Sequence, residues 1–162
     1  MVHLEVAPLK EHQDKFETCV AWWLNAWGYG MGFTEETGRD AVDALVRDGG
    51  EQTALIGLVD GKAAGSVFFI REDLQSHRHL TPWLAALYVL PACRRLGLGA
   101  ALISAVVEHA RNKGTERLYL YSSIGNFYRR FGWTTLETVE RNGVPLEIMH
   151  LDLVARQSSA AM

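Results

Sequence analysis

One mixed α/β domain is what this sequence predicts, and three observations carry the prediction. Apolar runs of strand length alternate with segments of helical periodicity in the order β-α-α-β-β-β-α-β-α-β-β, roughly six to seven strands with about four helices. Asp60-Gly61 and Asn142-Gly143 each separate two strand-like runs, as hairpin turns do. With 162 residues, 48% of them hydrophobic and 22% charged, the chain is long enough for one substantial core and too short for two domains of ordinary size.

Taken in order, Val2 to Val6 reads as a first strand ending at Pro8. From Glu11 onward, Phe16, Val20, Trp23 and Trp27 recur at helical steps, so Trp23 and Trp27 read as core, and Gly28 stops the helix. Gly28-Tyr29-Gly30-Met31-Gly32-Phe33 forms a glycine–aromatic joint. Thr34 is placed to cap the next helix, with Glu35 and Glu36 in its positive first turn and Gly49-Gly50 near its end. Thr53 to Val59 and Ala63 to Ile70 make a hairpin, and Asp73 to Thr81 a polar loop. Trp83 to Leu90 follows as a buried strand, then Gly97 to Lys113 as a helix that buries Leu98, Leu102, Val106 and Ala110 and ends at Gly114. Leu118 and Leu120 alternate with Tyr119 and Tyr121 in a further strand, and Phe127 to Phe131 is a short helix. Trp133–Glu140 and Val144–Leu153 close the fold as a hairpin. The domain spans 1–154, and 155–162 is expected to be a frayed tail.

The run Val89-Leu90-Pro91-Ala92-Cys93-Arg94-Arg95-Leu96-Gly97-Leu98-Gly99-Ala100 carries the chemistry. A helix entered this way leaves backbone N–H groups unpaired at its positive end, and glycines let a ligand approach the main chain. Arg94 and Arg95 add forked donors that suit phosphate oxygens, so the run predicts a pyrophosphate pocket. A Walker A loop would need Gly-Lys-Ser/Thr, but Gly99 is followed by Ala100-Ala101. A dinucleotide fingerprint would need a third glycine and an acid ending the next strand; Leu102 and Tyr121-Ser122-Ser123 stand there instead. Glycines that merely let a helix pack on a sheet are the structural alternative, and the paired arginines count against it.

From Arg94 the spacing is R-x-x-G-x-G, and here the chain resembles the GNAT N-acetyltransferase superfamily, whose acetyl-CoA motif is Q/R-x-x-G-x-G/A. Trp83 to Leu90 resembles that family's fourth strand, and Gly125 to Trp133 its F-Y-x-x-x-G-F/W segment, so the likeness covers about 50 residues. The resemblance implies the acyl-CoA N-acyltransferase fold, with a mostly antiparallel central sheet. It also implies direct transfer of an acetyl group from acetyl-CoA to a primary amine in a ternary complex.

By the same resemblance, pantetheine runs along Leu87, Tyr88 and Val89, and the pyrophosphate rests by Arg94 on the amides of Arg95, Leu96, Gly97, Leu98, Gly99 and Ala100. Because main chain does this binding, side-chain changes at Leu96 or Leu98 are expected to matter little, while a bulky residue at Gly97 or Gly99 should block the ligand. Tyr128 matches the family's general acid; a phenol with a pKa of about 10 is protonated at neutral pH and can donate to a departing thiolate. A packing tyrosine is the alternative there. Relatives often place an Asn about seven residues before the tyrosine and a small residue two before it, where this chain has Tyr121 and Asn126. Asn126 is assigned to the cofactor, and Arg129 or Arg130 are candidates for its 3′-phosphate.

The base and the acceptor site are less marked. Relatives often use a carboxylate on or beside the fourth strand, but Ala85 and Ala86 stand inside it, leaving Glu72, Asp73, His77 and His79 of the preceding loop as candidates. Trp27, Tyr29, Phe33 and Trp83 are read as walls for a small-molecule or peptide amine, with Asp73, Glu35 or Glu36 attracting its cationic form. A non-catalytic acyl-CoA-binding or sensing module is the alternative function; it would need no proton donor, and Tyr128 favours the enzyme. The resemblance also admits a homodimer.

Composition narrows the partners further. Sixteen basic against nineteen acidic residues leave a charge of −3, which does not support a nucleic-acid surface. The longest apolar stretch, Trp83 to Cys93, is broken by Pro91 and falls short of the roughly 18 residues of a membrane span. Glu5 near the start argues against a secretory signal, so a cytoplasmic protein is expected, and Cys19 and Cys93 are expected to stay reduced. His77 and His79 lack a third ligand at metal spacing, so no metal is expected.

Overall fold

The structure is a computed structural model and describes residues 1–153; residue 154 and the expected tail, 155–162, lie outside them. A seven-stranded sheet runs in the order β1-β2-β3-β4-β5-β7-β6, where β1 is Leu4–Pro8, β2 Thr53–Val59, β3 Lys62–Ile70, β4 Trp83–Val89, β5 Arg117–Ser122, β6 Thr134–Arg141 and β7 Val144–Asp152. Neighbours are antiparallel except β4 and β5, which are parallel. Four α-helices accompany it: α1 Phe16–Trp23, α2 Glu35–Arg47, α3 Leu98–Asn112 and α4 Gly125–Arg129.

The local chemistry read from the sequence explains most of these elements. Asp60 and Gly61, with φ of 50° and 81°, form the left-handed pair that a tight hairpin needs, as do Asn142 and Gly143 at 52° and 78°. Thr34 caps α2 by accepting from the Thr37 amide at 3.1 Å, while the Thr37 hydroxyl accepts from the Thr34 amide at 2.8 Å. The short helix begins earlier than expected, at Gly125, where a Cβ would meet the Glu147 carboxylate that Arg129 holds.

Helix α1 departs from its predicted pattern. Its last turns widen into a π-helical stretch, Leu24–Gly28, and then a 3₁₀ turn, Tyr29–Met31. The widening rotates the buried face onto Cys19, Val20, Leu24 and Gly28, so Trp27 is 38% exposed and not core as expected. Gly28 is needed there, since a Cβ would come within 2.8 Å of Leu24 Cδ2 and 3.1 Å of Trp23 Cζ3.

Alternation along the strands builds two apolar layers. On one face α3 lays Leu98, Leu102, Val106 and Ala110 against Val67, Phe69 and Leu84, and α4 adds Tyr128. On the other, α1 and α2 cover Ile56, Leu58, Phe68 and Ala85 with Cys19, Val20, Leu24 and Val42. Leu98 is a core residue, as the helical pattern predicts, so its side chain serves stability. It is 1% exposed, and Gly57 and Gly65 make room for it, since their Cβ atoms would fall 2.8 and 3.2 Å from its methyls. Leu98→Ala is therefore expected to cost about 2–5 kcal/mol of unfolding free energy in urea titrations. Leu96 is exposed and carries no such cost.

The sheet parts in its middle. Only Trp83 and Tyr119 pair across β4 and β5. Beyond them β4 bulges: the register against β3 slips between Ser66 and Phe68, and Ala86 takes a left-handed φ of 54°. Such a bulge bends the strand and increases its twist, which carries the end of β4 away from β5.

Candidate active site

Where β4 leaves β5, a cavity of about 710 Å³ opens through the sheet. Its walls include Trp23, Trp27, Phe33 and Phe68 from the α1/α2 side, Leu84 to Leu87 of β4, and Tyr128 from the α3/α4 side. The β5-facing edge of β4 beyond Trp83 has no strand partner, so its main-chain groups are left for a ligand to pair.

At the end of β4 the chain turns sharply into α3. Arg95 and Gly97 are both left-handed, with φ of 68° and 90°, and Gly97 precedes the first residue of the helix. Consecutive amides in such a turn form a concave anion site continuous with the positive helix end. Arg94 folds back so that its Nε donates to the Val89 carbonyl at 3.1 Å, and the Arg95 side chain is exposed. Gly99 lies in the first turn of α3, where a Cβ would make an ordinary contact with Phe127 at 3.4 Å. Left-handed Arg95 and Gly97 ahead of the positive end of a fifteen-residue helix form an amide cradle that fits a diphosphate.

Tyr128 is held from two sides, by Phe127 with ring centroids 5.1 Å apart and by Trp133 at 6.4 Å. It is 7% exposed, and burial pushes its phenol up to about 12. Its hydroxyl has no hydrogen-bond partner among the described residues. The helix beneath it is pinned to β7: Arg129 donates to Glu147 at 2.7 Å, and together with the Thr135 hydroxyl at 2.6 Å it draws the Glu147 carboxyl down to about 2.

The cavity also holds Asp73, Tyr121 and Arg141. Burial pushes the Asp73 carboxyl up to about 7, only partly opposed by the Arg141 charge, and Asp73 accepts no hydrogen bond from the described residues. Arg141 donates to the Tyr121 hydroxyl at 3.1 Å and lies 5.9 Å from its ring centroid. Burial, then the nearby Asp73 charge, raises the Tyr121 phenol.

Of the residues expected from the sequence, Trp27, Phe33, Asp73, Leu87 and Tyr128 meet at this cavity, while Arg94 to Ala100 form the separate cradle at the end of β4. Tyr88 turns toward α1 and packs on Trp22 at 5.5 Å and Trp27 at 6.4 Å. Two expected acceptor walls are corrected. Trp83 is fully buried at the junction of β4 and β5, its indole N–H given to the Leu80 carbonyl at 2.7 Å, because the one paired step there needs a large apolar strut. Tyr29 is exposed on the 3₁₀ turn and lies outside the cavity lining.

Other candidates are spent elsewhere. Asn126 Oδ1 accepts from Arg129 at 2.6 and 3.0 Å, which leaves its amide N–H groups for a ligand and commits Arg129 to the protein. Arg130 lies over Phe127 and Phe131 at 5.3 and 5.4 Å. Among the possible bases, His77 bonds Ser76 at 2.7 Å and Glu137 at 2.9 Å and stacks on His79, away from the cavity lining. Glu72 reaches the lining but receives Arg78 at 3.4 Å. Arg141 was not singled out by the sequence; its only signal is its place before the Asn142-Gly143 turn, which does not say where the hairpin points.

Solved structures that share this fold include acetyltransferases. A GCN5-related N-acetyltransferase from Kribbella flavida superposes with a TM-score of 0.74 at 16% identity, covering 93% of this chain and 98% of that one. The putative acetyltransferase yncA from Salmonella typhimurium, solved with its cofactor acetyl-CoA, gives 0.71 at 17% identity, covering 94% of each. The chain belongs to the GNAT family: residues 10–133 match the sequence model described as "Acetyltransferase (GNAT) family". An uncharacterized N-acetyltransferase of Escherichia coli K12, YjhQ, is 30% identical over 107 residues, which span 64% of this chain and 58% of that relative's length. No helix among the described residues is long and apolar enough to cross a membrane.

Proposed function

We propose that this protein is an acetyl-CoA-dependent N-acetyltransferase that acts on a primary amine by direct transfer within a ternary complex. The observation that carries the proposal is the split between β4 and β5, which brings an unpaired strand edge, a neutral buried phenol and an unbonded carboxyl to one opening, with the amide cradle at the end of the same strand. Acetyl-CoA supplies the thioester carbonyl, and the C–S bond breaks as the amine nitrogen forms the new C–N bond.

The chain's own residues do the rest. Amides from Arg95 to Ala100 hold the diphosphate, and the main-chain groups of Leu87 to Val89 left free beside the Val89 carbonyl that Arg94 takes pair with the pantetheine amides. Asp73, ionised above about pH 7, takes the proton that the ammonium acceptor must lose before its lone pair can attack. Tyr128, neutral until about pH 12, donates its phenolic proton to the sulfur as it departs. Nitrogen thus gives up two protons, one to Asp73 before it attacks and a second, as the amide forms, to the Tyr128 phenolate left after the sulfur is protonated; Asp73 then releases its proton to solvent.

Calorimetry with acetyl-CoA, followed by thiol release with a panel of amines, tests the proposal. A folded protein that takes up no acetyl-CoA refutes it. Gly99→Leu is expected to weaken acetyl-CoA binding by about tenfold or more, because a bulky side chain in the first turn of α3 blocks approach to the amides. Equal binding by that variant would move the cradle elsewhere.

A further inference from the structure

Most arginines of the described chain face carboxylates, as Arg117 faces Asp152 and Arg129 faces Glu147. Arg94 and Arg95 belong to the cradle at the end of β4, and Arg130 lies over two phenylalanine rings. Arg141 differs from all of them: it lines the cavity and has no carboxylate within ion-pair distance among the described residues. The β6–β7 hairpin carries it there. The pairing of β5 with β7 ends at Ser122 and Glu147, while that of β6 with β7 continues to Arg141 and Val144, so the tip extends past the end of β5. Tyr121 anchors the guanidinium through one N–H and one face, which leaves most of its five donors unused.

We infer that the acceptor is an α-amino acid with an apolar side chain, its ammonium received by Asp73 and its carboxylate by Arg141. This rests on the N-acetyltransferase reading and names the acceptor class within it. With only Tyr121 bound, Arg141 keeps most of its donors free at the cavity, and a carboxylate matches the guanidinium fork. Asp73 and Arg141 both line the cavity, and the Arg141 charge reaches Asp73. Their ligands must then carry opposite charges a short distance apart, as an ammonium and a carboxylate on one carbon do. A polyamine presents only positive charge, which Arg141 repels, and a peptide N-terminus has an uncharged amide where the carboxylate should be. Trp23, Trp27, Phe33 and Ile70 leave an apolar wall for the side chain.

The test compares phenylalanine, leucine and methionine with phenylalanine amide, 2-phenylethylamine and spermidine, by thiol release from acetyl-CoA. The free amino acids are expected to show kcat/KM at least about tenfold above their carboxylate-free counterparts. In Arg141→Gln that ratio should fall toward about one, and in Arg141→Lys it should be partly kept, because charge persists without the fork. Arg141 sits on an exposed strand end, and circular dichroism checks that the variants fold. The inference is overturned if the amide, the simple amine or spermidine is acetylated as well as the amino acids, or if Arg141→Gln leaves the ratio intact; the N-acetyltransferase reading then stands. Binding of acetyl-CoA with no acceptor acetylated overturns both.

Discussion

Tyr128→Phe is expected to lower kcat by on the order of 10²-fold or more while leaving the Kd for acetyl-CoA within about twofold. The phenol is well placed to act as an acid and has little else to do. Burial between Phe127 and Trp133 raises it to about 12, so it keeps its proton at every pH at which the protein works. No described residue takes its hydrogen bond, so the proton is not committed elsewhere. Phenylalanine preserves the ring packing and removes only the hydroxyl, which separates donation from stability. Steady-state thiol release and calorimetry read the two quantities; an unchanged kcat takes Tyr128 out of the mechanism and revives the packing alternative.

Asp73→Asn is expected to lower kcat/KM at pH 8 by about 10²-fold and to abolish the acidic limb of the pH–rate profile. In the parent protein the rate should climb through about pH 7, as the carboxyl ionises and becomes able to accept a proton. The groups that set this value face one another in the cavity: burial raises Asp73, the Arg141 guanidinium lowers it, and Asp73 in turn raises the Tyr121 phenol. A profile that keeps its limb near pH 7 in the Asn variant would assign that limb to another group.

The same shift makes a second, independent reading of Asp73 through stability. An ordinary aspartate releases its proton near 3.8, whereas here the folded protein holds it to about 7. Between those values the folded state binds more protons than the unfolded chain, so stability from this residue is complete below about pH 4 and is lost as the pH rises through 7. Above that point the ionised carboxylate sits in surroundings that disfavour it. The Asn variant should therefore melt higher than its parent at pH 8, with a gain that disappears below about pH 4. Lower activity with higher stability is the pattern of a residue kept for chemistry.

Much of the architecture was legible in the residues because its causes are local. Strand β2 was read with the ends it has, Thr53 to Val59, since its apolar run stops at Asp60-Gly61, and the left-handed φ values of that pair follow from the residue types themselves. Thr34 capped the helix it preceded, and R-x-x-G-x-G led to the cradle at α3 because amide geometry at a helix entrance is a property of a few consecutive residues. Burial of Leu118 and Leu120 was set by alternation alone.

What the residues could not announce depended on partners far away in the chain. The bulge at Ala86 parts the sheet, yet alanine carries no turn signal, and the left-handed φ is imposed by pairing with β3 on one side while β5 diverges on the other. Trp83 read as a cavity wall and became a buried strut, because only the packing of Leu74 and Ile148 around it says which side of the strand is filled. Asp73 was one of four candidate bases until the fold shielded it and spent His77 on Glu137. Arg141 entered the site only because β6 and β7 outrun β5. Sequence by itself thus determined most of the elements, the hairpin turns and the amide cradle, which arise from backbone preferences within a few residues. Tertiary structure alone decided where the sheet opens and which charges meet there, because desolvation and pairing between distant segments exist only once the chain has closed on itself.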